Sequence, residues 1–262
     1  MKFKRIAAII TALVTVAALA SCGAKKEQTD SEYVKEKGKL VIGITEFEPM
    51  DYKDSSDNWV GFDADMAAAF AESHGEKAEF VLIDWDSKVQ ELNGKNIDCV
   101  WNGMTLSDDV MSAMSCSNAY CNNAQVVVVP ASDKDKYQSV EDCKSLKFAV
   151  ENGSAGMKMA TENNFEYIPV KDQATALMEV AGGTSDAAII DLLMAGAMIG
   201  EGTSYENLTY TVSLNSEKYG VGFRQGSDLT EKLNDFFKSS YSDGSMKKIA
   251  EKYGTQESII EQ

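Results

Sequence analysis

The sequence is poor in the residues that build metal centres and nucleic-acid interfaces. It has one histidine, His74, and no Cys-x-x-Cys pair among its 262 residues, so we expect neither a metal site nor a cofactor. Its 25 Lys+Arg are outnumbered by 41 Asp+Glu, which argues against a nucleic-acid partner because phosphate binding needs a basic face. With only three prolines and no low-complexity tract, disorder beyond a short linker is not expected.

The N-terminus has the three parts of a secretory signal. Three basic residues lie within the first five positions, an apolar run covers residues 6–20, and small residues follow up to Cys22. The run is too short and too rich in alanine for a membrane span, and no later apolar run is long enough to cross a bilayer. We therefore predict that residues 1–21 form a signal peptide.

Residues 19–22, Leu-Ala-Ser-Cys, resemble the lipobox of bacterial lipoproteins. That resemblance implies that Cys22 becomes the lipidated first residue of the mature chain, with palmitate as part of the anchor. The protein would then be held at the cell membrane on its extracytoplasmic face, at the cell surface or in the periplasm. The alternative is an ordinary signal peptide with an incidental cysteine. The polar segment that follows predicts a flexible tether over residues 22–32.

The four remaining cysteines do not indicate a metal site. Cys99 lies within an apolar strand pattern and is expected to be a small core residue. Cys116 and Cys121 are five positions apart, so a local disulfide stays an open alternative in an exported protein.

Strand-like and helix-like segments alternate along the rest of the chain. Apolar, β-branched runs predict strands at 39–45, 79–83, 97–102, 125–130, 147–151, 166–170, 187–191, 208–212 and 219–223. Helical patterns lie between them at 63–73, 87–93, 154–163, 173–181 and 192–200, and an amphipathic helical stretch follows residue 229. This order predicts an α/β fold with mostly parallel sheets. Ligands of such folds bind beyond the carboxyl ends of strands or in a cleft between domains.

Five short motifs resemble, in order, those of the amino-acid-type (family 3) solute-binding proteins of ABC importers. They span most of the chain after the tether, at 40–52 with 59–65, 96–108, 139–154, 183–191 and 219–223, and the first includes Val-Gly-Phe-Asp-Ala-Asp at 60–65. The resemblance implies the type II periplasmic-binding-protein fold, in which two α/β lobes are joined by two hinge strands and a ligand cleft lies between them.

The same resemblance places the lobe boundaries. The chain would cross between lobes near 124–126 and 215–219. Residues 33–124 and 218–262 would then form lobe 1, and residues 125–217 would form lobe 2.

The implied function is transport without chemistry. The protein would bind an amino acid or a related amine in the cleft and deliver it, as a monomer, to a cognate ABC permease and ATPase. One alternative is a surface sensory or binding module, although sensory versions usually continue into a transmembrane helix. The other is a prephenate-type dehydratase, since the fold hosts one, with Glu46, Glu48 and Asp191 as candidate acids.

Three of the candidate solute contacts are an acid and two aromatic residues. Asp191 ends an apolar strand, at the position where the family has an ammonium-binding acid; the alternative is that it caps the helix beginning at Leu192. Phe47 and Trp85 match the family's aromatic walls, which pack against the solute and attract a cation, and the alternative for both is lobe core.

The other candidates are groups that would meet the amino and carboxylate groups of the solute. Asn102, Gly103 and Thr105 match a family stretch that offers backbone and hydroxyl groups. Ser154 and Ala155 open a predicted helix, whose free N–H groups bind anions. Capping of that helix by Ser154 is compatible with the same role.

One position departs from the family pattern. The arginine that clamps the solute's α-carboxylate is replaced by Val110, and the only arginine after residue 21 is Arg224. Ile44 likewise stands where binders of polar amino acids have a side-chain-sensing acid. Losing a hydrogen bond to a charged group costs roughly 1.5–3 kcal/mol, or about tenfold to hundredfold in affinity. The solute is therefore expected to be an unusual amino acid or an amine without a conventional carboxylate.

Overall fold

Strands and helices fall into two groups along the chain, and each group builds its own β-sheet. The computed structural model describes residues 28–262. The first group contains α1 (Asp30–Lys37), β1 (Lys39–Ile44), β2 (Tyr52–Lys53), β3 (Trp59–Val60), α2 (Phe62–Ser73), β4 (Lys77–Leu82), α3 (Lys88–Asn93), β5 (Cys99–Thr105), α4 (Asp108–Ala113), β6 (Ser115–Cys116) and β7 (Cys121–Asn123).

The second group follows directly and is completed by a return to the first. It contains β8 (Gln125–Pro130), β9 (Lys147–Glu151), α5 (Ala155–Glu162), β10 (Glu166–Val170), α6 (Gln173–Ala181), β11 (Ala187–Asp191), α7 (Leu192–Met198) and β12 (Leu208–Ser213). The chain then returns through β13 (Glu217–Phe223), α8 (Leu229–Ser242) and α9 (Ser245–Lys252). Within the described residues, no helix is both long and apolar enough to span a bilayer.

Each sheet contains both parallel and antiparallel strand pairs. The first has the order β4-β1-β5-β13-β6, with β7 also paired to β13, and the second has the order β10-β9-β11-β8-β12. The α/β prediction is confirmed, but the prediction of mostly parallel sheets is wrong. Every pairing of β13 and of β8 is antiparallel. Strand β8 follows directly from β7 of the first sheet, and β13 follows directly from β12 of the second. Each therefore enters its sheet from the side of the other sheet and runs opposite to the strands that end on that side.

The chain passes from the first sheet to the second at Ala124 and returns between Ser213 and Glu217. Both passages link a strand of one sheet to a strand of the other without an intervening helix. Assigning residues 33–124 with 218–262 to one lobe, and 125–217 to the other, remains our proposal.

The cores follow from the apolar strands and the helix faces that cover them. In the first sheet, the Trp101 ring meets Phe237 of α8 at 5.6 Å, and Tyr120 meets Phe237 at 5.4 Å. In the second, Phe148 of β9 stacks on Phe165 at 4.6 Å. Burying one such ring contributes roughly 1.5–3 kcal/mol. These packed cores hold the strand ends that form the cleft.

The N-terminal helix shortens the predicted tether. Helix α1 starts at Asp30 with a capping box between Thr29 and Glu32, and the Ser31 hydroxyl donates to Asp228 near the start of α8. The last residues of the predicted 22–32 tether are therefore helical, because their capping groups and a distant carboxylate fix them. The predicted signal peptide and the lipidation residue Cys22 lie outside the described residues.

The structure also decides the roles of the cysteines and of the arginine at the end of β13. Cys116 and Cys121 are both free thiols, so they form no disulfide, and Cys99 is fully buried as expected. Arg224 is buried between Asp30 and Asp98, where it ties α1 to the first sheet.

Candidate functional site

A cavity of about 580 Å³ lies between the two sheets, where the carboxyl ends of several strands meet. Its volume suits a small organic molecule. Residues of both sheets form its wall, together with the first turns of α4 and α5. All eight residues predicted as solute contacts lie on this wall: Phe47, Trp85, Asn102, Gly103, Thr105, Ser154, Ala155 and Asp191.

Asp191 is held by neutral donors alone. Its Oδ1 accepts from Asn123 Nδ2 at 2.5 Å, Gln125 Nε2 at 3.0 Å and the Tyr219 hydroxyl at 2.5 Å, and its Oδ2 accepts from Gln173 Nε2 at 2.5 Å. The carboxylate makes no capping bond to α7, so the alternative of a simple helix cap is wrong. Four donors orient this acid, but none of them neutralises it.

Glu217, which the sequence analysis missed, lies beside Asp191. Its Oε1 accepts from Asn123 Nδ2 at 2.7 Å and from Gln125 Nε2 at 2.8 Å, the same two amides that bind Asp191. The Thr105 hydroxyl donates to the same oxygen at 3.0 Å. Sharing donors brings the two carboxyl groups close together. The sequence signal was the period-two alternation of a strand, which puts Glu217 on the face of Tyr219 once β13 is extended backward.

Glu151 is a third buried acid at the cleft, at the end of β9. It is 2% exposed, and its Oε1 has no hydrogen-bond partner. Burial, with the charge of Asp191, raises the pKa of Glu151 to about 8. Burial, with the charge of Glu217, raises the pKa of Asp191 to about 8. The raised pKa values of Glu151 and Asp191 disfavour their ionised state in the free protein, and a bound cation would reverse that preference.

Lys88 lies near these acids but is bonded elsewhere. Its Nζ donates to the carbonyl oxygens of Trp85 at 2.9 Å and Gly153 at 3.2 Å, and it lies 4.7 Å from the centroid of the Trp85 ring. Burial lowers its pKa, opposed by the charges of Glu151 and Asp86. The bond to Gly153 joins α3 to the second sheet, so Lys88 links the two sides of the cleft.

Phe47 and Gly103 form the floor of the cavity on the side of the first sheet. Phe47 is 2% exposed and meets the Tyr219 ring edge-on at 6.3 Å. The Gly103 backbone N–H donates to Asp63 at 2.6 Å, and its φ of +52° is one that glycine adopts readily. The Asn102 side chain is fully used by Thr45 and by Asp51, so it fixes the loop after β1.

Substituting Gly103 tests this packing. A Cβ at that position would lie 2.4 Å from Phe47 Cε1, so Gly103→Ala combines a left-handed backbone with overpacking. We expect a loss of about 2–5 kcal/mol in the free energy of unfolding, measured in urea. Gly196→Ala is the matched control, since nothing lies within 4 Å of its added carbon in α7, and a gain of about 0.5–1 kcal/mol is expected. Equal stability of the two variants would contradict the packing described.

The opposite wall begins at the first turn of α5. The Ser154 hydroxyl accepts from the Met157 N–H at 3.1 Å, so the predicted capping is confirmed. Ala155 lies on the wall beside it, where first-turn N–H groups have no partner within the helix.

Val110, the position of the absent arginine, also lies on the cavity wall. It is part of α4 and packs against a buried apolar cluster that includes Met104. Val89 and Ala113 adjoin the same cluster and also line the cavity. The wall that would carry a guanidinium in the family is therefore apolar here.

Comparison with known proteins agrees with this geometry. The sequence model of the bacterial extracellular solute-binding proteins, family 3, matches residues 40–256, which is most of the chain. The chain belongs to this family. Its two-sheet α/β architecture matches that of solved two-lobed binding proteins, so the resemblance drawn from the sequence is confirmed.

Three proteins illustrate what this family 3 member is similar to. The arginine-binding extracellular protein ArtP of Bacillus subtilis is 28% identical over 95% of this chain and 97% of its own length. A substrate-binding protein of an ABC uptake transporter from Streptococcus pneumoniae, solved with bound histidine, has a TM-score of 0.78 at 27% identity, covering 86% of this chain and 96% of that one. The cyclohexadienyl dehydratase of Pseudomonas aeruginosa is 23% identical over 71% of this chain and 72% of its own length.

Proposed function

We propose that this family 3 solute-binding protein captures a small organic cation in its cleft and delivers it to an ABC permease. The observation that carries the proposal is the group of three buried carboxyl groups, Glu151, Asp191 and Glu217, on the wall of a 580 Å³ cavity. A buried carboxylate needs a cationic partner or it becomes neutral. An ammonium or guanidinium group of a solute supplies that partner.

The positions of the wall residues indicate how a solute would bind. The solute's cationic group donates hydrogen bonds to Asp191 and its neighbours, while Phe47 and Trp85 pack against the rest of the molecule. Lys88 bonds Gly153 across the cleft and helps hold the lobes together around the solute. The protein performs no bond-breaking step in this proposal and presents the loaded, closed form to the permease and its ATPase.

A dehydratase is the second candidate, because one relative carries that activity. Its substrate class, prephenate, bears two carboxylates, and ionisation of any of the three buried acids of this cleft would oppose binding of such a dianion. Relatives such as ArtP of Bacillus subtilis are binding proteins by name, and we propose that this chain is one as well. Turnover of prephenate by the purified protein would contradict that assignment.

The cellular setting follows from the family and from the N-terminal sequence. Family members are extracellular or periplasmic. We propose that Cys22 carries a lipid anchor and that the folded domain works as a monomer on the extracytoplasmic face of the membrane.

A thermal unfolding screen tests the binding proposal. The purified protein is heated with each of the twenty amino acids and with aliphatic, aromatic and guanidino amines. A solute at a hundred times its Kd is expected to stabilise the protein by about 2.7 kcal/mol, or roughly 5–10 °C. Glutamate and glutarate serve as anionic controls and are expected to give no shift. A shift with anions and none with any cation would overturn the proposed function.

A further inference from the structure

The cleft contains more acidic groups than its own lysines can pair with. Among the described wall residues, Glu151, Asp191 and Glu217 are 2%, 5% and 8% exposed. Lys158 is exposed and lies 3.8 Å from Asp109, so its charge is met at the rim. Two of the three N–H groups of Lys88 already donate to backbone carbonyl oxygens. The three buried acids thus have one buried lysine nearby, and that lysine is hydrogen-bonded to other acceptors.

These acids form a single cluster at one end of the cavity. Asp191 and Glu217 share the amide groups of Asn123 and Gln125. Glu151 ends β9, the parallel neighbour of β11, so it reaches the same sheet edge as Asp191. One cationic group of a solute can therefore meet the Asp191–Glu217 pair, and Glu151 lies on the same cavity wall.

Among the described wall residues the cationic side chains are Lys88 and Lys158, and the surface around Val110 is apolar. Val110 packs with Val89, Ala113 and Met104, all of which line the cavity. Arg224 is committed to Asp30 and Asp98 on the far side of the first sheet. A carboxylate placed against Val110 would lose its hydration without gaining a charged partner, which is costly.

The remaining donors, the first-turn N–H groups of α5, lie in an unfavourable field for an anion. Glu151 precedes the capping residue Ser154 by three positions and lies on the same cavity wall. Once a bound cation favours its ionised form, Glu151 opposes an anion at the helix start, although the helix dipole would favour one. This site therefore holds a solute by its cationic end and by apolar contact.

From these contacts we infer that the solute of this protein is an organic cation without a carboxylate. It is an amine or guanidine whose aliphatic or aromatic remainder lies against the Val110 wall. The inference rests on the proposed function and sharpens it, since the two binding proteins named above are described with the amino acids arginine and histidine. A free α-amino acid would bring to this cleft a negative charge that finds no charged partner on the Val110 wall, while Lys88 and Lys158 already have other acceptors.

Matched pairs of compounds test the inference. Calorimetric titration compares lysine with cadaverine, arginine with agmatine, histidine with histamine and phenylalanine with phenethylamine, because each amine is its amino acid without the carboxylate. For every pair that binds, we expect the amine to bind at least about tenfold more tightly. A tighter amino acid in those pairs would overturn the inference and leave the proposed function standing. If no member of any pair binds, the proposed function itself fails.

Substitution at Val110 provides the second arm. Val110→Arg introduces the missing cation, so the amine's preference over the parent amino acid is expected to fall at least about tenfold or reverse. Val110→Met adds bulk without charge and is expected to keep the preference. Both variants are first checked by thermal unfolding. A folded Val110→Arg protein with an unchanged preference would show that the solute's carboxylate position is elsewhere, and would overturn the inference.

Discussion

Replacing Asp191 with asparagine is expected to weaken solute binding by about thirtyfold or more. Truncating one partner of a buried, hydrogen-bonded charge pair costs roughly 2–5 kcal/mol, and each 1.4 kcal/mol is tenfold in Kd. Asparagine keeps the size of the side chain and an oxygen for the Tyr219 hydroxyl, which donates at 2.5 Å. The loss therefore reports the missing charge more than a change of shape. Calorimetric titration with the tightest cation from the solute screen measures it.

Asp135→Asn is the matched control for this substitution. Asp135 is exposed in the short 3-10 helix Ala131–Lys136 and does not line the cavity. The same change of chemistry there is expected to leave Kd unchanged and to alter stability by less than about 0.5 kcal/mol. A Kd for Asp191→Asn within threefold of the parent value would contradict the role of this acid as the cation partner.

The stability of the free protein is expected to fall as the pH rises from about 5 to about 8. Burial raises the pKa of Glu151 and of Asp191 to about 8, and that of Asp63 to about 7. The ordinary values of these groups are near 4, so between pH 4 and pH 8 the folded state holds more protons than the unfolded state. Their contribution is fully present below pH 4 and is lost as the pH rises through 7 to 8.

The size of this effect follows from linkage. Each group that stays protonated only in the folded state removes about 1.4 kcal/mol of stability per pH unit. Several kcal/mol should therefore be lost between pH 5 and pH 8, or roughly 10 °C in Tm. Thermal unfolding in a series of buffers measures it, with Glu151→Gln combined with Asp191→Asn as the control. That double variant is expected to show a shallower decline. A Tm that rises or stays level over this range would contradict the burial of uncompensated acids.

The two expectations are linked through the solute. A cation binds the ionised acids and favours release of their protons, so its affinity should increase as the pH rises toward 8. The solute is therefore expected to stabilise the protein most near pH 8, where the free protein is least stable.

Several features could be predicted from the sequence because they depend on local pattern. The strands at 125–130, 147–151, 166–170 and 187–191 have the predicted bounds, since continuous apolar runs between turns leave few alternatives. The eight candidate residues reach one cavity because strand ends and helix starts carry them there. Their individual contacts with a solute remain predictions.

Other features depend on partners that are distant in the chain. Glu217 pairs with Asp191 only because β13 returns from the second sheet and shares two amide donors from β7 and β8. The antiparallel neighbours of β8 and β13 follow from the same crossing and are invisible in the periodicity of either strand. The helix at Asp30, which shortened the tether, is held by Asp228, almost two hundred positions away.

The sequence by itself determined the α/β class, the family and the absence of an arginine at position 110. These depend on residue identity and short spacing. Only the tertiary structure decided that three acids lie buried together and that Lys88 is committed to backbone carbonyls at 2.9 and 3.2 Å. Charge balance in a cleft is a property of distances between side chains far apart in the chain, and no local pattern encodes those distances.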